Sequence, residues 1–149
     1  MKRAISLTTV ASFAFLYAAC GDNYSDWAEQ GYRWVNVDGP YACATERDVE
    51  VMTTNRTDAT ELQMIESARC YYLIPGSIVE IIDEDRGRGM SEMRIPGVTR
   101  YLWTYTRFLS KHPIRDADAI IETPENSHFI SAAEAAMLPA LPAGNYEVR

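Results

Sequence analysis

Two histidines, three cysteines and an excess of carboxylates are the side chains of this 149-residue chain that could carry reactive chemistry. His112 and His128 each lie beside a turn signal, and neither has a Ser-x-Gly or Cys partner at a spacing used for nucleophilic catalysis. Both read as surface residues. The acids are numerous, but no pair stands out as a glycosidase-type dyad. Asp83-Glu84-Asp85 offers the hard oxygens that Ca²⁺ prefers, yet Arg86 and Arg88 follow at once and no EF-hand spacing is present. That segment reads as a solvated hairpin tip. The cysteines Cys20, Cys43 and Cys70 show no CxxC or Cys/His spacing of a zinc site. Accordingly no catalytic residue, metal or cofactor is assigned, and a non-enzymatic role is expected. Asn55-Arg56-Thr57 matches a glycosylation sequon within a polar loop.

Tyr101, Trp103 and Tyr105 alternate with Leu102, Thr104 and Thr106, so in a strand the three rings share one face. If Leu102 points inward, the rings form an exposed recognition stripe, since aromatics give large contact area at little entropic cost. If the rings point inward, they are core. The sequence leaves both arrangements open, and the stripe is the only local feature from which a binding site is proposed.

The background is that of an ordinary globular domain, with 47% hydrophobic, 23% charged and 11% aromatic residues. Acids outnumber Lys and Arg by 21 to 14, and loss of Lys2 and Arg3 by processing would leave 12 bases and a net charge near −9. Nucleic acid is disfavoured as a partner, because its binders need clustered cations to displace counterions.

The N-terminus addresses the chain. Lys2 and Arg3 precede residues 4–20, which carry no charge, and the first acid is Asp22, the n-region and h-region layout of a secretory signal. Ser6, Thr8, Thr9 and Ser12 interrupt the stretch, so cleavage is a better reading than an uncleaved membrane span. Ala18-Ala19-Cys20-Gly21 resembles the bacterial lipoprotein signal. The resemblance implies that residues 1–19 are removed, that Cys20 is lipidated, and that the chain is exported to the cell envelope on a membrane anchor. Gly21, rather than Asp, after the cysteine points to an outer-membrane lipoprotein facing the periplasm. An odd cysteine count in an exported chain asks for one cysteine with a separate job, and Cys20 with a lipid leaves Cys43 and Cys70 as an even pair. In an oxidising compartment these are expected to form a disulfide, against the alternative of two buried thiols.

Residues 20–36 are polar with interspersed Tyr24, Trp27, Tyr32 and Trp34, and are expected to form a tether that docks by Trp27 or Trp34. The compact region is expected over 37–112. Period-two patterning predicts strands at Asp48-Val49-Glu50-Val51-Met52, at Glu61-Leu62-Gln63-Met64 and at Cys70-Tyr71-Tyr72-Leu73-Ile74. Ile78-Val79-Glu80-Ile81-Ile82 reads as a strand buried on both faces, and further strands are expected at 93–95 and 98–109. In the extension 113–149, Ile120-Ile121 is a candidate edge strand and Ser131-Ala132-Ala133-Glu134 a capping box opening a short helix through Leu138. The extension holds too few apolar residues for a second core, so it either packs on the main domain or remains mobile.

Tyr72-Leu73-Ile74-Pro75-Gly76-Ser77 followed by Ile78-Val79-Glu80-Ile81-Ile82 resembles an element of the bacterial SH3-like domain. Met93-Arg94-Ile95-Pro96-Gly97-Val98-Thr99-Arg100-Tyr101-Leu102 is similar to its closing hairpin, and Arg107-Phe108-Leu109 sits at its last turn and strand. The resemblance implies a mainly β fold, a small SH3-like barrel; a small β-sandwich is the alternative, because alternation cannot tell closure from stacking. It also implies a module that binds another envelope protein or peptidoglycan. Small size, a disulfide and acidity equally suit an inhibitor, immunity or exclusion lipoprotein that blocks a secreted enzyme or receptor. A structural component of a secretion or conjugation apparatus is a third reading.

Overall fold

The computed structural model describes residues 23–36, 41–114 and 120–138. Cys20 and the signal segment 1–19 lie outside the described residues.

The segment read as a tether is built into the fold from Asn23 onward. Helix α1 (Tyr24–Glu29) leads through Gly31 into strand β1 (Tyr32–Val35), where Trp34 and Val35 are buried. Gly31 sits at φ +100, a left-handed conformation, and a Cβ there would approach the Ile81 carbonyl oxygen at 3.3 Å. That carbonyl belongs to the neighbouring strand, whose Ile81 N–H donates to the Gly31 carbonyl at 2.9 Å. Burial of two adjacent large residues, which a solvated linker has no reason to carry, ties this segment to the sheet.

Strand β2 (Tyr41–Cys43) precedes two helices where strands were expected. Helix α2 (Glu46–Thr54) takes in 48–52, and helix α3 (Asp58–Glu66) takes in 61–64. The Thr45 hydroxyl accepts from the Asp48 N–H, and the Thr57 hydroxyl from the Thr60 N–H, each at 3.2 Å. Such caps contribute about 1 kcal/mol apiece. Acids in both first turns, Glu46 and Asp48 in α2 and Asp58 and Glu61 in α3, complement the positive helix ends. On α2 the buried residues Asp48, Val49 and Met52 follow helical spacing. Val49 and Val51, which alternate in the sequence, have different environments: Val49 is fully buried and Val51 only partly.

The chain leaves α3 through a Schellman reversal. The Ala68 N–H donates to the Ile65 carbonyl and the Arg69 N–H to the Met64 carbonyl, both at 3.0 Å, with Ala68 itself at φ 56. Strand β3 (Cys70–Tyr72) follows, and then β4 (Ile78–Asp85), β5 (Met90–Arg94) and β6 (Leu102–Tyr105). A 3-10 turn (Thr106–Phe108) leads to β7 (Leu109–Ser110). All pairings are antiparallel, in the order β3-β2-β6-β5-β4-β1-β7. The fold is therefore mainly β. Only the first half of β4 is buried on both faces. Ile78 and Val79 are buried, but the register against β5 shifts between Ile81 and Asp83, and Ile82 is exposed. The long strand expected over 98–109 is shorter, with 98–101 irregular before β6.

Two apolar clusters hold the sheet, one on each side. Tyr41, Cys43, Cys70 and Met90 pack under α2 and α3 with Val49, Met52 and Met64. Val35, Ala42, Leu73, Val79, Met93 and Leu102 form the second cluster. Residues 120–138 lie against β1, β4 and β5 and do not add an edge strand at Ile120-Ile121. The Trp34 Nε1–H donates to the Glu122 carbonyl at 2.8 Å, the Ile78 N–H donates to the Glu122 carboxylate at 2.8 Å, and Phe129 meets Tyr32 and Arg94. Helix α4 (Ala132–Met137) opens on the expected capping box, with Ser131 and Glu134 bonded reciprocally.

Candidate binding surface

Cys43 and Cys70 form a disulfide across the β2–β3 pair, with Cα atoms 4.0 Å apart. That short separation marks a non-hydrogen-bonded pair, and alternation makes Tyr41↔Tyr72 another. The Tyr72 N–H and C=O consequently point away from β2. Because β3 ends the strand order, they point off the edge of the sheet.

Side chains on this edge are unusually apolar for an exposed strand. Tyr71 and Tyr72 project to opposite faces, as neighbours on a strand must. Tyr72 is 52% exposed, Leu62 on α3 57% and Ile74 beyond the strand 74%. Leu62, Ile65 and Tyr72 line a cleft of about 290 Å³ whose acidic margin is Asp58 and Glu61. The Arg56 side chain bonds Glu61 at 2.7 Å and holds its carboxyl below the usual carboxylate value, so Glu61 stays ionised further into acid than a free carboxyl would. On the opposite face the Arg100 guanidinium covers the Tyr71 ring at 4.8 Å and donates to the Ala68 carbonyl at 2.5 Å. The Tyr71 hydroxyl donates to the same carbonyl at 3.0 Å, so two side chains converge on the Ala68 carbonyl within the α3–β3 reversal.

The three aromatics of the sequence reading are placed differently from one another. Leu102 and Thr104 are buried, the Thr104 hydroxyl donating to the Tyr41 carbonyl at 2.7 Å. Trp103, Tyr105 and Phe108 are partly buried against the cluster beneath α2 and α3. Tyr105 meets Phe108 edge-on at 5.8 Å, with the Arg107 guanidinium 4.5 Å above the Tyr105 ring. Only Tyr101, just before β6, is half exposed. The alternation is real, but a helix covers much of the face that the rings share.

The charged and titratable residues of the sequence reading occupy structural positions. The Asp85 carboxylate accepts from the Gly87 and Arg88 N–H groups in the hairpin turn, and Arg88 pairs with Glu46 on α2 at 2.6 Å. The His128 Nε2 lies 3.3 Å from Glu134 at the start of α4. Asp48, buried, is bound by Arg69. Among the described residues no group of three His, Cys, Asp or Glu side chains is placed to hold a metal ion, and no helix is long and apolar enough to cross a membrane. What the β3–α3 surface offers is noncovalent contact: an open strand edge, apolar side chains beside it and a fixed negative margin. No protein-family model, no curated protein and no solved structure matches the chain.

Proposed function

We propose that this chain is a non-enzymatic binding module of the bacterial cell envelope, held to the membrane by a lipid on Cys20, that docks another envelope protein through the β3–α3 surface. The observation that carries the reading is the apolar group at Leu62, Tyr72 and Ile74 beside the open edge of β3. Exposed apolar patches mark interaction sites, and a free strand edge can take up an added strand. The acidic margin and the chain's net charge of −7 match a partner with a basic surface. The Cys43–Cys70 disulfide supports an oxidising compartment.

An SH3-like barrel is the finer architecture that we propose. Its support is the path of the chain, in which β4, β5 and β6 form a meander and a 3-10 turn at Thr106–Phe108 then carries the chain to β7, beside β1. The turn and strand coincide with Arg107-Phe108-Leu109. A second reading, an inhibitor of a basic secreted enzyme such as a lysozyme, is favoured by the same acidic margin.

The test is capture from detergent-solubilised envelopes, with sedimentation on purified peptidoglycan and lysozyme inhibition as parallel arms. Leu62→Asp should reduce protein capture by roughly tenfold or more, the effect of losing a central contact, while Ile120→Asp, at an exposed site that does not line the cleft, should not. Capture insensitive to Leu62→Asp, or binding of peptidoglycan alone, overturns the reading. Lysozyme inhibition lost in Leu62→Asp selects the inhibitor.

A further inference from the structure

A second cleft, of about 390 Å³, lies away from the β3 edge and differs from it in charge. Its walls carry Arg33 from β1, Lys111 just after β7 and Arg86 from the hairpin turn, against a single acid, Glu84. This is a concentration of cations on a chain whose net charge is −7.

Strand register places two of them near each other. β1 and β7 pair as Trp34↔Ser110 and Val35↔Leu109, and Arg33 and Lys111 are the residues that flank the Trp34↔Ser110 pair, both lining the cleft. Two cations lining one cleft repel each other. Glu84 does not relieve the repulsion, because its ion-pair contact is with Arg86, at 3.8 Å. Among the described residues neither Arg33 nor Lys111 has an acid within ion-pair distance. Arg33 is also fixed in place, since its Nη1 donates to the Ala28 carbonyl at 2.5 Å and the Tyr32 carbonyl at 2.7 Å. A guanidinium held in place and an ammonium lining one cleft are the cationic groups that an anion would engage.

The rest of the lining narrows the anion. The Ser91 and Thr106 hydroxyls bond one another at 2.7 Å. Two hydroxyls have two hydrogens, and their mutual bond uses one, so the pair retains a donor for an acceptor atom. Ile81 and Leu109 supply apolar lining beside these groups. The Glu84 carboxylate in the same cleft disfavours a dianion such as phosphate more than a monoanion. We propose that this cleft is a ligand site for a carboxylate carried on a short apolar body, the carboxylate lying between Arg33 and Lys111 and the body against Ile81 and Leu109. The site is independent of the β3–α3 surface and of the function proposed for it.

The experiment is an NMR titration of the full chain with 4-methylpentanoate, acetate and inorganic phosphate, following the Ser91, Thr106 and Leu109 amides. The expected result is saturable shifts of those amides, with 4-methylpentanoate binding roughly tenfold or more tighter than acetate because of its added methylenes. Phosphate should bind more weakly than 4-methylpentanoate. Lys111→Gln, at an exposed position outside every strand, should weaken 4-methylpentanoate roughly tenfold by removing a charged contact, with the spectrum otherwise preserved. Arg33→Lys should weaken it too, by replacing the fixed planar donor with a flexible one. The proposal is overturned if these amides do not shift, if phosphate or acetate binds as tightly as 4-methylpentanoate, or if Lys111→Gln binds it unchanged.

Discussion

Replacing Trp34 by alanine should destabilise the protein by about 3–5 kcal/mol, the usual cost of deleting a buried large aromatic. For a chain of this length that is a fall of roughly 6–20 °C in melting temperature. Trp34 is fully buried within β1, beside Ile78 and Ser110 on the flanking strands, and its ring meets Tyr24 of α1 edge-on at 5.8 Å. It also donates to the Glu122 carbonyl, so one side chain joins the N-terminal helix, the sheet and the segment 120–138. Trp34→Phe should cost less, because it keeps much of the ring volume and removes the N–H donor. Trp27→Ala should cost least, since Trp27 is only partly buried. Thermal melts by circular dichroism check the series. Equal melting temperatures for Trp34→Ala and Trp27→Ala would contradict the placement of β1 inside the sheet.

Loss of the Cys43–Cys70 bridge is the second large effect. The bridge spans 27 residues, and the loop-entropy estimate for that interval is about 3.5 kcal/mol. The closed loop contains α2 and α3, so Cys43→Ser with Cys70→Ser should loosen the β3–α3 surface as well as lowering global stability. Hydrogen exchange should quicken most in α3 and β3. Denaturant unfolding of the two forms gives the free-energy difference directly, and unchanged stability together with two alkylatable thiols in the native wild-type protein would contradict the bridge.

Much of this architecture can be read in the residues. The cysteine arithmetic gives the observed pair, Ser131 and Glu134 announce α4, and Pro75-Gly76 separates β3 from β4. Trp34 signals docking, although that signal understates a residue placed within a strand. The reading fails first at α2. Val49 and Val51 fit a strand over a window too short to tell period two from helical spacing, whereas Thr45 with Asp48 is a helix-start signature that points the other way. That single error has a structural consequence at the aromatic row. With 48–52 taken as a strand, nothing is available to cover Trp103 and Tyr105; with α2 in place, they pack beneath a helix and only Tyr101 is open. The β3–α3 surface was hidden for a related reason. Leu62 and Ile65 reach Tyr72 only because the Ala68 reversal folds α3 back beside β3, and alanine at a left-handed position carries none of the sequence signal that glycine would.

The proposed recognition face is most directly tested by photocrosslinking in bacterial cells that express the chain, with a benzophenone amino acid placed in turn at Tyr72, Tyr101 and Ile120. All three positions are exposed, but only Tyr72 lies on the apolar cleft beside the open strand edge. A discrete protein adduct is expected from position 72, abolished when Leu62→Asp is added, and none from position 120. An adduct from position 101 alone would return recognition to the aromatic row of β6, and equal adducts from positions 72 and 120 would contradict a defined binding face.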